Sequence, residues 1–485
     1  MGNATGLASY DISAPAVEYS NSLVPWTINN ALSTTAASAK DYGNNKYCSE
    51  NDMKESVCIF RLAVNKQQPQ SNETTLAQKA IQRLKVFKHP YVLKFIENAE
   101  SADGLALVTE SCVPLETWLN SLKANQMTVQ LQEIMWGLKC ILLALNFLHS
   151  NCSMIHGNLG LQSIFVVTNG DWKLGGMELV GNMSMQAEAD HFAKFQHLLD
   201  REFVSPERNS PASLNESLKS PFPIDIYSFG KIIQRVFNDV NIEMPRSFGR
   251  YLTSMLQHDT KKRPSAAKLC QSSMFHSEDM LFIESIGELS LKSPKEFLEV
   301  ISKMEDKLTV LSKPVCAHKI LPNIARSLQI AMNDFPLRDA REGCRQVCAL
   351  QLFRHFTSQY NISDLPCVAA SIQSVQVSVT LLTQLATSDK LDQSIFRQSC
   401  LPVLVQLWSM TDRTVRTVML QSLKALIPFI PDAVINRTIF DHMMAGFSDS
   451  NAKYCRSLKP MNIYMIILIY SSFHLMSPDC GSRRS

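Results

Sequence analysis

Apolar residues recur with strand spacing in the first hundred positions, and one helical stretch interrupts them. Four short runs are rich in β-branched or aromatic residues and are bounded by turn residues, which predicts β-strands. The stretch Glu73–Phe87 has apolar residues at helical spacing, and Pro90 ends it because proline cannot continue a helix. The predicted strands are Pro25–Ile28, Val57–Phe60, Tyr91–Ile96 and Leu105–Thr109.

A long apolar helix and a tight hairpin follow these strands. Throughout Val129–Ser150, apolar residues recur every three or four positions, which predicts a buried helix. Two short apolar runs, Ile164–Val167 and Trp172–Leu174, flank the sequence Asn-Gly-Asp. An Asn-Gly turn between such runs predicts a β-hairpin.

Beyond Phe275 the pattern is helical, with few strand signals. The segment Lys319–Leu328 resembles Ser399–Trp408, which lies 80 positions later, and Ile439–Phe447 fits about one further period. A period of about 40 residues is typical of HEAT repeats, in which helix pairs bury their apolar faces against one another. Unrelated amphipathic helices are the alternative, but they would not recur at a fixed interval.

The residues around the hairpin keep the spacing of a protein-kinase catalytic site and lack its chemistry. Kinases place H-R-D-L-x-x-x-N before such a hairpin and D-F-G after it. Here Asn158 replaces the catalytic aspartate, Ser163 replaces the metal-binding asparagine, and Gly176 replaces the metal-binding aspartate. Phe60 stands where a lysine would pair with the nucleotide phosphates, and no glycine-rich phosphate loop precedes it. We therefore predict no catalytic residue, no metal site and no cofactor.

Four other positions match residues that hold the large kinase lobe together. Glu207 follows Ser-Pro as in the A-P-E motif, and Asp225 begins a segment similar to D-x-W-S-x-G. Arg263 stands where kinases place the arginine that pairs with the A-P-E glutamate, which predicts a buried bidentate ion pair. His156 is interpreted as structural, since buried histidines are usually hydrogen-bonded. Retention of these positions beside four lost catalytic ones predicts a maintained scaffold.

Composition narrows the classes of protein and partner. The chain of 485 residues is 45% apolar and 19% charged, which is ordinary for a globular protein. Its net charge is +3 without a basic block, so charge alone does not imply nucleic acid. Thirteen cysteines without CxxC pairs predict reduced thiols in a cytosolic protein. Met461–Met476 is apolar but too short to span a bilayer, so no transmembrane segment is expected, and an interfacial anchor is the alternative to a partial repeat helix.

These features together resemble the Scy-like pseudokinases, also called N-terminal kinase-like proteins, and are nearest to their Golgi-associated branch. The resemblance rests on the run Trp172–Met177, on Val57–Phe60 before it and on the helical repeats after it. It implies an α+β protein-kinase-like bilobal domain followed by an all-α HEAT- or armadillo-like repeat solenoid. The expected divisions are a disordered N-terminus over 1–24, the kinase-like domain over 25–275, a helical linker over 276–312, the repeats over 313–460 and an atypical tail over 461–485.

The resemblance also implies a function. It predicts a catalytically inactive scaffold in vesicle trafficking from the Golgi to the endoplasmic reticulum, cytoplasmic and peripheral to the Golgi membrane. Expected partners are proteins, such as COPI coat components or small GTPases, and some members of the family take part in tRNA export. A weak or unconventional kinase that still binds ATP, and a tRNA export factor, are the alternatives. Because the repeat pattern fails after about Arg456, we expect a truncated or alternatively ended form.

Overall fold

The computed structural model describes ten stretches of the chain, together with isolated residues between 296 and 308. Its described residues form two compact units, of which the first ends at Glu284 and the second begins at Ser285. Both β-sheets lie in the first unit, and the described elements after residue 285 are helical. The described stretches are 10–12, 17–20, 23–33, 56–63, 71–101, 104–125, 129–287, 311–334, 366–410 and 412–440.

An antiparallel sheet of six strands forms the amino-terminal part of the first unit. Its strands are β1 (Tyr10–Ile12), β2 (Val17–Ser20), β3 (Pro25–Ser33), β4 (Ser56–Ala63), β5 (Phe95–Ser101) and β6 (Gly104–Glu110). The main path runs β1–β3–β4–β6–β5, and β2 also pairs with β3. Because side chains alternate along a strand, Val57 and Ile59 of β4 face one apolar cluster while Cys58 and Phe60 face the other side.

The expectation that residues 1–24 are disordered is wrong for the residues described there. Both β1 and β2 pair with β3, with Tyr10 opposite Ser33 and Val17 opposite Ile28. Tyr19 of β2 is buried. The polar composition of this segment gave no clear strand signal. Strand β2 is held in place by its pairing with β3 and by the buried Tyr19 side chain.

The first helix, α1 (Asn72–Val86), nearly coincides with the predicted one. Ser71 caps it, since its hydroxyl oxygen accepts a hydrogen bond from the Thr74 N–H at 3.1 Å. The strand predicted from Tyr91 begins only at Phe95. The preceding residues instead bond to the later hairpin, as the Leu93 N–H does to the Leu174 carbonyl at 3.0 Å.

The predicted hairpin is confirmed as part of a second sheet, packed on a central helix. This sheet consists of β7 (Cys112–Pro114), β8 (Ile164–Val167) and β9 (Trp172–Leu174), and the helices before the hairpin are α2 (Leu115–Ala124) and α3 (Leu131–Asn146). The Trp136 indole of α3 donates to Asp171 at 2.6 Å and so ties the helix to the turn. Together with its extension to Asn151, α3 is long and apolar enough to cross a membrane, but 67% of its most apolar window is buried inside the protein, as in a core helix.

The helices that complete the first unit extend past the predicted boundary at residue 275. Lys139 of α3 forms an ion pair of 2.9 Å with Glu284, and Gln132 lies 3.4 Å from Asp279, so the last of these helices belongs to the first unit as far as Glu284. The helices are α4 (Gln186–Phe195), α5 (Pro211–Ser217), α6 (Phe222–Val240), α7 (Arg246–Met255), α8 (Ala266–Cys270) and α9 (Glu278–Gly287).

In the described part of the second unit, one helical arrangement recurs. Its regular helices are α10 (Lys313–Val315), α11 (Leu321–Asp334), α12 (Pro366–Thr387), α13 (Gln393–Ile395), α14 (Leu401–Trp408), α15 (Arg413–Leu426) and α16 (Asp432–Val434). A π-helical turn follows each of the short helices α10, α13 and α16, at Cys316–Ile320, Phe396–Cys400 and Ile435–Ile439. The starts of these turns are 80 and 39 residues apart, which agrees with the period of about 40 in the sequence.

The first two π-turns precede Pro322 and Pro402. Proline removes one N–H donor from a helix, but the third π-turn is followed by Phe440, so a proline is not required for such a turn. The helical character of the carboxyl-terminal region is confirmed, whereas its assignment to HEAT repeats stays a prediction. Most of Ile439–Phe447 and all of the tail 461–485 lie outside the described residues.

Candidate functional site

Phe60 lies at the centre of a buried aromatic cluster, at the position where a kinase has its phosphate-pairing lysine. Its side chain is 3% exposed. Its ring packs against those of Tyr19, Trp26 and Phe165, with centroid separations of 6.1, 6.2 and 5.6 Å. The interplanar angles of 77°, 85° and 82° are the edge-to-face geometry that aromatic pairs prefer. An apolar cluster thus occupies the place of a charged side chain.

Tyr19 and Trp26, which complete this cluster, are functional positions that sequence reasoning missed. They lie directly opposite each other in the β2–β3 pairing. The Tyr19 hydroxyl donates to the Gln162 carbonyl, next to Ser163. Burial, together with the nearby Glu178 carboxylate, raises the pKa of Tyr19 well above its usual value. The alternation of Val17, Glu18 and Tyr19 was the signal that could have revealed this strand.

A small cavity remains beside the aromatic cluster. Its volume is about 20 Å³, which is room for about one water molecule. No nucleotide fits this space with the side chains as they stand. The cavity is lined by the four aromatic residues and by Ala80, Leu84, Leu93, Leu107, Gly176 and Glu178.

Asn158 and Ser163, which replace a catalytic and a metal-binding residue, make local hydrogen bonds. The Asn158 backbone N–H lies 3.3 Å from Nδ1 of His156, and its side-chain amide cannot take up a proton as a carboxylate does. The Ser163 hydroxyl donates to the Gly160 carbonyl at 2.9 Å and accepts from the Gly160 N–H at 3.0 Å. Ser163 therefore closes a turn and is buried there.

The surroundings of Gly176 leave little room for the aspartate that a kinase would have. The φ of Gly176 is +64°, in the left-handed region that favours glycine. A Cβ atom at this position would lie 2.7 Å from the Cβ of Ser163, closer than such atoms approach without a shift. Ser163 and Gly176, which replace the two metal-binding residues, can therefore lie close together because both are small.

Asp225 holds the backbone of the degenerate catalytic loop. Its carboxylate accepts hydrogen bonds from the N–H of His156 at 2.6 Å and of Gly157 at 2.9 Å, and lies 3.0 Å from Nε2 of His149. Burial alone would raise the pKa of this carboxyl, but the bond to His149 and the nearby charges and donors hold it below its usual value. His156 itself lies 2.8 Å from the Gly175 carbonyl through Nε2. Both residues serve the loop's conformation.

The structure also contains the ion pair between Arg263 and Glu207, inside the large lobe. The neighbouring Arg208 was missed by the sequence analysis. Its Nη1 donates to the Gly157 carbonyl at 3.2 Å, and its guanidinium lies 4.5 Å from the Phe192 ring centroid. Burial lowers the pKa of Arg208 to about 10, against the raising effect of the nearby carboxylates. Gly157 stands where kinases have the arginine of H-R-D, so Arg208 supplies a guanidinium beside that position from another segment.

Two further ion pairs join helix α1 to helix α4. Lys79 and Arg83 of α1 bind the two oxygens of Glu188 at 2.5 and 2.8 Å. All three side chains are about one-fifth exposed. In a kinase, the corresponding helix contributes an acid to the lysine of the third strand. Here Phe60 replaces that lysine. The helix is instead held by its basic residues to α4, which follows the G-M-E sequence.

No group of three His, Cys, Asp or Glu side chains in the described stretches is arranged to hold a metal ion. The site's residues can pack against one another, form hydrogen bonds and hold the loop's backbone in place. At the four catalytic positions, Phe60 is apolar, Asn158 has an amide, Ser163 has a hydroxyl, and Gly176 has no side chain.

Comparison with known proteins agrees with this geometry. Residues 41–244 match the protein kinase domain family. The chain is 26% identical over 400 residues to mouse "Protein-associating with the carboxyl-terminal domain of ezrin". The matched region covers 80% of this chain and 48% of that protein. The chain is 23% identical over 421 residues to "Probable inactive serine/threonine-protein kinase scy1" of Dictyostelium discoideum, which covers 84% of this chain and 45% of the other.

A yeast protein and a solved structure are also similar. "Cytoplasmic export protein 1" of Saccharomyces cerevisiae is 21% identical over 409 residues, covering 82% of this chain and 47% of that protein. The solved structure, "Crystal structure of Cex1p", is 17% identical to this chain; the match covers 99% of this chain and 83% of that one, with a TM-score of 0.48.

The chain spans about half of the length of the relatives it matches. The Scy-like resemblance is confirmed, while the Golgi-associated branch stays a prediction. The chain is a homologue of the Scy-like pseudokinases and contains a protein kinase domain.

Proposed function

We propose that this chain is a pseudokinase that acts as a protein scaffold and transfers no phosphate. The observation that carries the proposal is the position of Phe60, whose ring fills the place of the phosphate-pairing lysine and is packed on three sides by other rings. Phosphoryl transfer depends on positioning and on charge neutralisation by lysine and metal ions. Phe60, Ser163 and Gly176 supply neither.

Nucleotide binding separates this proposal from its enzymatic alternative, a weak kinase that still binds ATP. The full chain is heated with increasing ATP, in the presence of magnesium and in the presence of a chelator. A ligand at 100 times its dissociation constant would stabilise the protein by about 2.7 kcal/mol, so binding is easily seen as a raised melting temperature. We expect no change. A magnesium-dependent rise together with phosphate transfer to any substrate would overturn the proposal.

The finer role that we propose is in vesicle trafficking, in the cytoplasm and at the Golgi periphery. Two features support a protein-binding role: structural residues such as Asp225 and Arg263 are kept while catalytic ones are lost, and the carboxyl-terminal region is helical and recurrent. The mouse relative is named for association with the carboxyl-terminal domain of ezrin, which makes such a domain a candidate partner beside COPI coat components and small GTPases.

Partner binding is tested with the full chain immobilised and each candidate offered separately. The candidates are purified COPI coat subunits, small GTPases in both nucleotide states, and an ezrin carboxyl-terminal domain. Saturable binding of at least one candidate that is unchanged by ATP supports the scaffold. Failure of all of them, together with nucleotide binding, would favour an enzyme.

A tRNA-binding role has weaker support in the described helices. Several of their basic side chains are already engaged with carbonyl groups at helix ends. The Lys390 ammonium lies 2.5 Å from the Leu308 carbonyl, Arg397 donates to the Phe429 carbonyl at 3.0 Å, and Arg416 donates to the Met410 carbonyl at 2.6 Å. A binding titration with tRNA at several salt concentrations decides, because phosphate contacts make affinity fall steeply with salt.

A further inference from the structure

Two lysine side chains lie over one aromatic ring at the carboxyl-terminal end of helix α1. The ammonium groups of Lys85 and Lys88 are each 5.5 Å from the centroid of the Phe95 ring, which is a cation–π distance. Both lysines are exposed, and so is Val86, of which 72% is accessible to solvent. Phe95 is half-buried at the start of strand β5. We call these four residues the α1–β5 patch.

In the part of the chain that the structure describes, no acidic side chain neutralises this patch. Neither of its ammonium groups forms an ion pair there. Glu110, at the end of the neighbouring strand β6, is bound by the Lys173 ammonium at 2.7 and 2.9 Å. Glu100, at the far end of β5, accepts a hydrogen bond from the Gln78 amide at 2.8 Å. The patch therefore presents two positive charges beside exposed apolar surface.

Strand β5, which carries the ring, lies at one edge of the six-stranded sheet. It pairs with β6, and none of the described strands lies on its other side. Phe95 is opposite Thr109, and Glu97 is opposite the adjacent Val108, so the ring and the Glu97 side chain point to opposite faces of the sheet. The backbone of an edge strand can pair with a further extended segment. Such an edge adjoins the patch.

We propose that the α1–β5 patch binds an extended acidic peptide segment of a partner protein. The backbone of the segment pairs with the outer edge of β5, as in other cases where a peptide adds a strand to a sheet. One of its carboxylates lies between Lys85 and Lys88, and an apolar side chain packs on Phe95 and Val86. This inference rests on the scaffold function proposed above and assigns to it a contact surface on the kinase-like unit.

Charge and backbone together favour a peptide over other anionic partners. Basic segments that bind anionic membranes typically have about four to eight lysines or arginines, whereas this patch has two lysines, with the exposed Lys94 beside it. A nucleic acid would need a longer basic stripe that follows its phosphates. Only a polypeptide can also use the N–H and C=O groups at the edge of a sheet in a regular ladder.

The test measures the binding of fluorescent synthetic peptides to the full chain. The probe is a peptide of alternating glutamate and valine, which is acidic and suited to strand pairing. A second peptide has lysine in place of glutamate, and a third has proline in place of valine, which removes the N–H donors of a strand. We expect the first peptide alone to bind, less tightly as salt is added, and to slow amide hydrogen exchange in β5.

Lys85→Glu together with Lys88→Glu should weaken this binding by about tenfold, because two favourable charge contacts become repulsive. The conservative variant, Lys85→Arg with Lys88→Arg, should retain it. The matched control is Lys261→Glu with Lys268→Glu, which changes the net charge by the same amount at exposed positions elsewhere on the same unit. The control should bind the peptide as the wild type does.

Equal binding of the proline peptide, unchanged exchange in β5, or an equal loss in the control variant would overturn the proposal. Binding to phosphatidylserine vesicles that needs both lysines, without any binding of the acidic peptide, would make the patch a membrane contact instead. If the charge-reversal variant does not fold, hydrogen exchange of the wild-type chain decides alone. Failure of the peptide to bind would leave the scaffold function standing, because the ATP titration and the candidate partners test that function separately.

Discussion

Arg263 and Glu207 form a bidentate ion pair in the interior of the kinase-like unit, with Nη1 to Oε1 at 2.7 Å and Nη2 to Oε2 at 2.8 Å. The Arg263 side chain is fully buried and that of Glu207 is 7% exposed. The arginine also donates through Nε to the Gln257 carbonyl at 2.7 Å, and its guanidinium lies 4.9 Å from the Tyr227 ring centroid. The pair therefore joins the turn Pro206–Asn209 to the segment after Lys262 within the same lobe.

Glu207→Ala should destabilise the kinase-like unit by about 3–5 kcal/mol, because it leaves Arg263 buried without its counter-charge. Denaturant unfolding measures the loss. Glu202→Ala is the control, since Glu202 pairs with Arg235 where both side chains are 36% exposed, and it should cost less than about 1 kcal/mol. Equal stability of the two variants would show that the buried pair contributes nothing.

Phe60→Ala should cost about 3–5 kcal/mol, because it removes the ring that contacts three other aromatic side chains. The space gained is apolar, so magnesium-dependent ATP binding should stay absent. Thermal unfolding with and without ATP measures both effects. Val17→Ala, at a residue 63% exposed on β2, should change stability little. ATP binding by the Phe60 variant would mean that one ring alone closes a working nucleotide site.

The triple variant Phe60→Lys, Asn158→Asp and Gly176→Asp should not become a kinase. Gly176→Asp places a Cβ atom 2.7 Å from that of Ser163, and Phe60→Lys places a charge among rings. The variant should unfold at a lower temperature than the wild type and transfer no phosphate in a radioactive assay. Asn158→Asp alone, at a half-buried position, serves as the milder comparison. Ready phosphorylation by the triple variant would refute the scaffold interpretation of this lobe.

Stability should fall as the pH is lowered, because of His156. Burial lowers the pKa of this fully buried imidazole, so below about pH 6.5 the unfolded chain binds a proton that the folded chain does not. The contribution is lost at up to about 1.4 kcal/mol per pH unit as the pH falls from the unfolded pKa towards the folded one.

Unfolding measured between about pH 7.5 and 5.5 tests this dependence. His156→Gln should be less stable at neutral pH, where it disturbs the bond to Gly175, yet its stability should fall less steeply with acid. His197→Gln, at an exposed position, should keep the wild-type slope. A wild-type slope in the His156 variant would assign the pH dependence to other groups.

The order of elements and the lost catalytic positions could be predicted because both depend on local spacing. The hairpin over Ile164–Leu174 and helix α1 follow from turn residues and apolar periodicity within a few positions of each other. The replacements at Asn158, Ser163 and Gly176 follow directly from the spacing of the kinase motifs around the hairpin.

The aromatic cluster could not be predicted because its members come together only through tertiary pairing. Tyr19 reaches Phe165, at a centroid separation of 5.7 Å, because β2 pairs with β3 and β3 with β4. Arg208 was missed for a similar reason: its position beside Gly157 depends on a fold of the chain between them. In both cases the sequence near the residue contains no periodic signal of the distant partner.

The ion pairs from Lys79 and Arg83 to Glu188 bear on the entropy of association. In a working enzyme, the corresponding elements move with each turnover so that nucleotide can enter and product can leave. Here α1 is held to α4 by two ion pairs, and the rings of Phe60 and Phe165, one from each sheet, pack against each other. A surface whose side chains are already ordered loses little conformational freedom when a partner binds. For the proposed scaffold, the absence of such a motion would leave more of the contact energy available for affinity.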